Sequence, residues 1–184
     1  MAKKIILLAS GAGSLAKAVL EAGLDLEISL VISDRPAPVL DLAEKHGVKS
    51  VLVNFADFEN RQAWGDALED LVASVNPDLV VSVGFMRILP PSFIERFKTI
   101  NTHPALLPLF PGAHAVRDAL AAGVTESGST VHWVDAGVDT GKVIRQVRVA
   151  INPGDTEESL HERIKIVERT LIVETLQKFQ VGEL

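Results

Sequence analysis

Four short apolar runs in the first half of the chain, with helical spacing between them, leave few folds open. Residues 5–9, 28–32, 50–53 and 79–83 lack the period-2 alternation of a half-exposed strand. Such runs suit strands buried on both faces, as in a parallel sheet. Residues 15–22, 39–45 and 62–75 carry the helices between them. Alternating β and α units imply right-handed crossovers, so the predicted fold is α/β: a doubly wound, mostly parallel, twisted, Rossmann-like sheet.

The pattern changes after Pro90. Residues 130–134 and 143–150 alternate cleanly on either side of the turn-rich segment Asp135-Ala136-Gly137-Val138-Asp139-Thr140-Gly141. This predicts an antiparallel pair in the C-terminal half. A last helix is expected to begin with Asp155 as N-cap and Glu158 completing a box-like start, and to run to about Gln180. No repeat, low-complexity segment or linker divides the 184 residues, so a single domain over 1–184 is expected. The start of the chain lacks a signal-peptide pattern, no apolar run is long enough to span a membrane, and the absence of cysteine excludes disulfides and thiolate catalysis. A cytoplasmic protein is the simplest expectation. The net charge of −6, with basic and acidic residues interleaved, argues against a nucleic-acid partner.

Ser10-Gly11-Ala12-Gly13-Ser14 sits between the first predicted strand and the first helix. A loop of this kind turns backbone N–H groups and a helix N-terminus toward an anion, most often a phosphate; it can equally be a tight turn that needs glycine for its dihedrals. Gly11-x-Gly13-x-x-Ala16, with Asp34 about 20 residues on, also fits the relaxed dinucleotide fingerprint. An NAD-type site is therefore a rival to a compact monophosphate site, for which Ser14 and Lys17 are well suited.

The most chemically pointed segment is Asn101-Thr102-His103-Pro104-Ala105-Leu106-Leu107-Pro108. Pro104 biases His103 toward extended backbone, where residues two apart face the same side. Asn101 and His103 can then aim at one point, and an amide beside an imidazole is suited to holding an oxyanion. Asp139 is either a turn residue or an electrostatic partner, since a carboxylate beside an imidazole favours its charged form. His46 reads as a helix C-terminal residue and His161 as solvated, while His114 follows the Pro-Gly turn and is either a loop residue or a substrate contact. His132 shares a strand face with Thr130 and Val134, where a supporting role and a core hydrogen bond stand equally. No spacing suggests a metal site. Gly84-Phe85-Met86-Arg87-Ile88-Leu89 follows the fourth strand, where open α/β sheets bind ligands; the alternative is core packing by Phe85 and Ile88 with Arg87 on the surface. Glu168 interrupts an apolar stripe and either pairs with Lys165 or faces a polar pocket.

The glycine loop, Gly84–Leu89 as written above, Asn101-Thr102-His103-Pro104 with Leu106-Leu107-Pro108, Pro111-Gly112 and the Asp139 loop together resemble, in order and over nearly the whole chain, the phosphoribosylglycinamide formyltransferases. These are folate-dependent enzymes of purine synthesis. The resemblance implies transfer of a formyl group from 10-formyltetrahydrofolate, as co-substrate, to the amine of glycinamide ribonucleotide, without a metal, nucleic acid or membrane partner; a homodimer stays open. It implies a catalytic trio of Asn101, His103 and Asp139. Ribonucleotide contacts would come from Gly13, Ser14, Leu15, Ala16 and Lys17, and from Lys165, Ile166, Val167 and Glu168, with Glu168 holding the substrate amine. Folate contacts would come from Arg61, Met86, Arg87, Ile88, Leu89 and Asn101, and from Asp135, Ala136, Gly137, Val138 and Asp139. Residues 1–100 would form the nucleotide- or phosphate-binding half and 101–184 the catalytic and folate-binding half. Many members have Asn at the positions of Ala12 and Leu15, and often Gln at those of Lys17 and Lys165. The rivals are a formyltetrahydrofolate hydrolase, a methionyl-tRNA formyltransferase, for which an RNA-contacting domain is missing, and a binding module for NAD or a phosphate ligand.

Overall fold

Buried aliphatic strands and the loops at their carboxyl ends organise the chain. The computed structural model describes residues 2–184, and two compact units divide between Ile100 and Asn101. The first contains β1 (Lys3–Leu8), α1 (Ser14–Glu21), β2 (Leu26–Ser33), α2 (Pro38–Lys45), β3 (Ser50–Leu52), a 3₁₀ turn (Phe55–Asp57), α3 (Arg61–Val75), β4 (Leu79–Ser82) and α4 (Pro91–Arg96). Its strands run in the order β3-β2-β1-β4, every pair parallel. Ile5, Ile6, Leu7 and Leu8 are all 0% exposed, as expected of a strand covered on both faces. On one side Ile6, Leu8, Leu30, Ile32 and Val80 meet Trp64, Leu68 and Val72 of α3 and Phe93 of α4. Asn60 caps α3 by accepting the Ala63 amide, and Asn76 ends it in the left-handed conformation, φ 51°.

Within the second unit, β5 (Thr99–His103), which carries the chain out of the first, is followed by α5 (Ala115–Ala121), β6 (Glu126–Trp133), β7 (Val143–Ala150) and α6 (Glu157–Gln180), the strands in the order β5-β6-β7. β6 and β7 are antiparallel, with a register shift between Val131 and His132. Val116, Val149, Leu160 and Ile164 form the core beneath α6. This is the mostly parallel α/β fold with an antiparallel pair in its C-terminal half that the periodicities predict.

Two local expectations need correction. β6 starts at Glu126 rather than 130, because the small residues Ser127, Gly128 and Ser129 hide its strand character. Gly128 is needed there, since a Cβ would lie 2.1 Å from the Val147 carbonyl oxygen. The cap of α6 is Thr156, which forms a reciprocal box with Ser159, and not Asp155 with Glu158. The Asp155 carboxylate instead binds the Asn152 amide and Arg163. α4 and α5 are too short for a helical period to show in the sequence. Among the described residues no helix is long and apolar enough to cross a membrane.

Leu8 is fully enclosed between β2 and β4. Leu8→Ala is expected to lower unfolding free energy by about 2–5 kcal/mol through lost transfer energy and the cavity left behind. Urea unfolding followed by far-UV circular dichroism measures it.

Candidate active site

In the first unit the chain crosses from β1 outward to β2 and β3, then returns to place β4 on the other flank of β1. Neighbouring strands whose connections diverge leave a crevice at their carboxyl ends, where α/β sheets bind ligands. The glycine loop leaves β1 there and the Gly84–Leu89 loop leaves β4. The two are bonded together: the Ser10 amide donates to the Gly84 carbonyl at 3.1 Å, and the Met86 amide donates to Ser10 Oγ at 2.8 Å. Gly13 takes φ 78°, and a Cβ on it would lie 2.6 Å from the Val39 side chain, so glycine is required twice over. Ser14 and Lys17 are exposed, whereas Leu15 and Ala16 are buried. Only the backbone of Leu15 and Ala16 is therefore placed to face a ligand. Lys17 lies 3.8 Å from Glu21.

Asp34 is not placed as the dinucleotide reading needs. Its side chain is wholly buried and receives Ser10 Oγ, Arg35 and Arg87. An acid so occupied is not available to a ribose hydroxyl.

The β4 loop frames a pocket of about 200 Å³ lined by Phe55, Arg61, Trp64, Met86, Arg87 and Ile88. Met86 is 67% and Ile88 53% exposed, although both are apolar. Ile88 thus does not pack in the core; Leu89 does, and Phe85 stacks on Trp64. Arg61 donates to the Ile88 carbonyl and so pins the loop.

The second unit brings Asn101, His103 and Asp139 together. Asn101 and His103 sit on β5, and Asp139 reaches them from the loop between β6 and β7, held at φ 55°. A left-handed aspartate is uncommon, and the surrounding bonds hold it there. Asp139 Oδ2 lies 3.3 Å from His103 Nδ1 and accepts the Gly112 amide at 2.8 Å. Asp139 Oδ1 lies 3.4 Å from His132 Nε2 and 3.5 Å from Asn101 Nδ2. Burial pushes the Asp139 carboxyl up, but the bonds from His132 and Gly112 and the charge of His103 outweigh it, and the group is held below the usual aspartate value. His103 Nε2 faces the Phe110 carbonyl at 2.8 Å. Both ring nitrogens of His103 thus face oxygen atoms. Phe110 itself is strained at φ 53°.

The loop carrying Phe110 is tied down by Thr130, whose Oγ1 donates to the Ala105 carbonyl and accepts the Leu107 amide, while Gln146 Nε2 donates to the Leu107 carbonyl. In the partner loop Asp135 accepts the Gly137 amide and the Thr140 hydroxyl, which leaves Ala136, Gly137 and Val138 at the surface. Gly141 is needed because a Cβ would lie 1.7 Å from the Trp133 carbonyl oxygen.

His132 belongs with this group, although its sequence position left a core role equally open. Its Nδ1 faces the Trp133 carbonyl at 2.8 Å and so carries a proton, and Nε2 stands 3.3 Å from the Asn101 amide. The only signal was its shared strand face. His114 is exposed ahead of α5, and His161 is half-buried rather than solvated.

On α6, Glu168 is 4% exposed. Burial pushes its carboxyl up to about 7, against the opposing pull of Ser129, Lys165 and Arg169. Lys165 does not pair with Glu168; it bonds Glu162 at 2.7 Å. Ile166 is exposed, and Val167 packs against Leu160 and Ile164.

Comparison with known proteins identifies the family. Residues 3–176 match the family model described as formyl transferase. The chain is 49% identical over 175 residues to a phosphoribosylglycinamide formyltransferase of Mycobacterium tuberculosis, covering 92% of this chain and 81% of that one. It is 36% identical over 173 residues to that of Bacillus subtilis, covering 90% and 89%. The solved phosphoribosylglycinamide formyltransferase of Streptococcus pneumoniae superposes with a TM-score of 0.90 at 40% identity, over 96% of this chain and 98% of that one. The chain belongs to the formyl transferase family, and within it to the phosphoribosylglycinamide formyltransferases.

Proposed function

We propose that the chain moves a formyl group from 10-formyltetrahydrofolate to the amine of N1-(5-phosphoribosyl)glycinamide, in the cytoplasm, as a step of de novo purine synthesis. The observation that carries the site assignment is Asp139, 3.3 Å from His103 and 3.5 Å from Asn101 on one strand. The amine nitrogen attacks the formyl carbon, and the carbonyl oxygen takes up negative charge. The bond from carbon to the folate nitrogen then breaks as that nitrogen gains the proton the amine gives up. Formylated ribonucleotide and tetrahydrofolate result. No covalent enzyme intermediate is needed.

The Asn101 amide and His103 Nε2–H are the oxyanion donors. Nε2 points at the Phe110 carbonyl, and an oxyanion is the stronger acceptor, so exchange of that bond is favourable. Asp139, kept ionised by its partners, stabilises the positive charge on His103. Gly13–Lys17 hold the phosphate and Lys165–Glu168 the rest of the ribonucleotide. Arg61, Met86–Leu89 and the 135–139 loop hold the folate. A carboxyl near neutrality, such as Glu168, can take the proton of a bound ammonium and free the amine for attack. Alignment of two bound substrates supplies several further kcal/mol.

Mixing the protein with 10-formyltetrahydrofolate, with and without the ribonucleotide, tests the reading. Tetrahydrofolate release only with the nucleotide supports transfer; equal release without it makes water the acceptor and overturns the proposal. Asn101→Ala is expected to cost about 10²–10³ in kcat, the usual price of one oxyanion donor. A folded variant within a few-fold of wild type would remove that role. Because the folded-state pKa of Glu168 lies above its ordinary 4.5, the native state binds more protons than the unfolded chain in that window. Stability should therefore fall as pH rises from 4.5 to about 7. Glu168→Gln should flatten the decline, which thermal melts at several pH values across the window measure.

A further inference from the structure

Asp34 has no part in the transfer as proposed, yet it is one of the most heavily bonded buried groups in the first unit. It follows directly on β2, and its side chain has no exposed surface. Oδ1 accepts Ser10 Oγ at 2.5 Å. Oδ2 accepts Arg87 Nε at 2.9 Å and Arg35 Nη2 at 3.0 Å. Ser10 passes the connection on, since its Oγ accepts the Met86 amide at 2.8 Å. One carboxylate thus ties the carboxyl end of β1, the end of β2 and the loop after β4. Burial opposes its charge, but Ser10, Arg35 and Arg87 outweigh that and hold the carboxyl below the usual range.

The consequence falls on the pocket beneath Met86 and Ile88. Anchored through Nε, the Arg87 guanidinium lies over the Phe55 ring, 4.1 Å from its centroid. Arg87 also lines that pocket, and a guanidinium held there is suited to a carbonyl or carboxylate. Unanchored, an arginine on an exposed loop would lose rotamer freedom on binding and weaken the contact. An asparagine at 34 would set its NH₂ group either against the two guanidiniums that share Oδ2 or, turned round, against the Ser10 hydroxyl, and in both cases the arginines lose their counter-charge.

We propose that Asp34 is a positioning residue for the donor substrate: through Arg87 and Ser10 it holds residues 86–89 in the shape that receives the folate. This rests on the reading of that loop as the folate site. The test compares wild type, Asp34→Asn, Ser10→Ala and the double variant, with steady-state kinetics and with titration of the intrinsic fluorescence of Trp64 and Trp133 by 10-formyltetrahydrofolate alone. For Asp34→Asn, KM for the folate should rise about tenfold, the scale of one lost charge-assisted bond. KM for the ribonucleotide and kcat should stay within about twofold, a split that general loosening of the fold would not give. The fluorescence titration should weaken by the same factor. Ser10→Ala should shift folate affinity in the same direction by less, and the double variant should be no worse than Asp34→Asn. An unchanged folate affinity, equal losses in both KM values and kcat, or strictly additive effects would overturn the proposal. If Asp34→Asn does not fold, the Ser10→Ala titration decides. Should wild type bind folate without transferring formyl, the transfer reading fails while the titrations still judge Asp34.

Discussion

Parallel strands put all their carboxyl ends on one side of a sheet, and the order β3-β2-β1-β4 makes the connections after β1 and β4 diverge there. That constraint underlies the rest of the first unit. It brings the glycine loop beside the Met86 loop, although they lie some seventy residues apart in sequence, and lets a single serine bridge them. Buried strands leave no room for an uncompensated charge, so the acid at the end of β2 is ringed by a hydroxyl and two guanidiniums.

In the second unit a carboxylate plays the organising part. Asp139 gathers two imidazoles, one backbone amide and a side-chain amide around its two oxygens. Its left-handed backbone, the strained Phe110 and the glycine at 141 all lie in the loops that set this geometry. Strain of this kind persists only where neighbouring bonds over-determine it. The Thr130–Gln146 hydrogen bonds do so from β6 and β7, below the Pro-rich loop. The resulting group is held in place by bonds from several elements, which is what the proposed oxyanion role would require.

Much of this was legible along the chain. Continuous apolar runs announced buried parallel strands, and the clean alternation after Pro90 announced the antiparallel pair. Asn101 and His103 stood out because an extended pair with proline behind it converges on one side. Other features carried no local signal. Ser127, Gly128 and Ser129 do not look like strand, and Asp155 looks more like a cap than Thr156 does. Glu168 and Lys165 sit at ion-pair spacing, yet Lys165 turns to Glu162 while the acid is enclosed. His132 could be a core residue or part of the site until its neighbours are known.

Sequence alone settled the fold class, the turn chemistry of the glycine loop and the identity of the chemical groups, because these follow from periodicity, backbone preference and functional-group inventory within a few residues. Tertiary structure alone decided which acid serves which partner. Asp34 fits a nucleotide-binding pattern by spacing and is in fact enclosed by arginines, whereas Asp139 looks like an ordinary turn residue and meets His103. Burial and ion pairing depend on surfaces contributed from distant segments, and their energies are set by the dielectric and the hydrogen bonds of the finished packing.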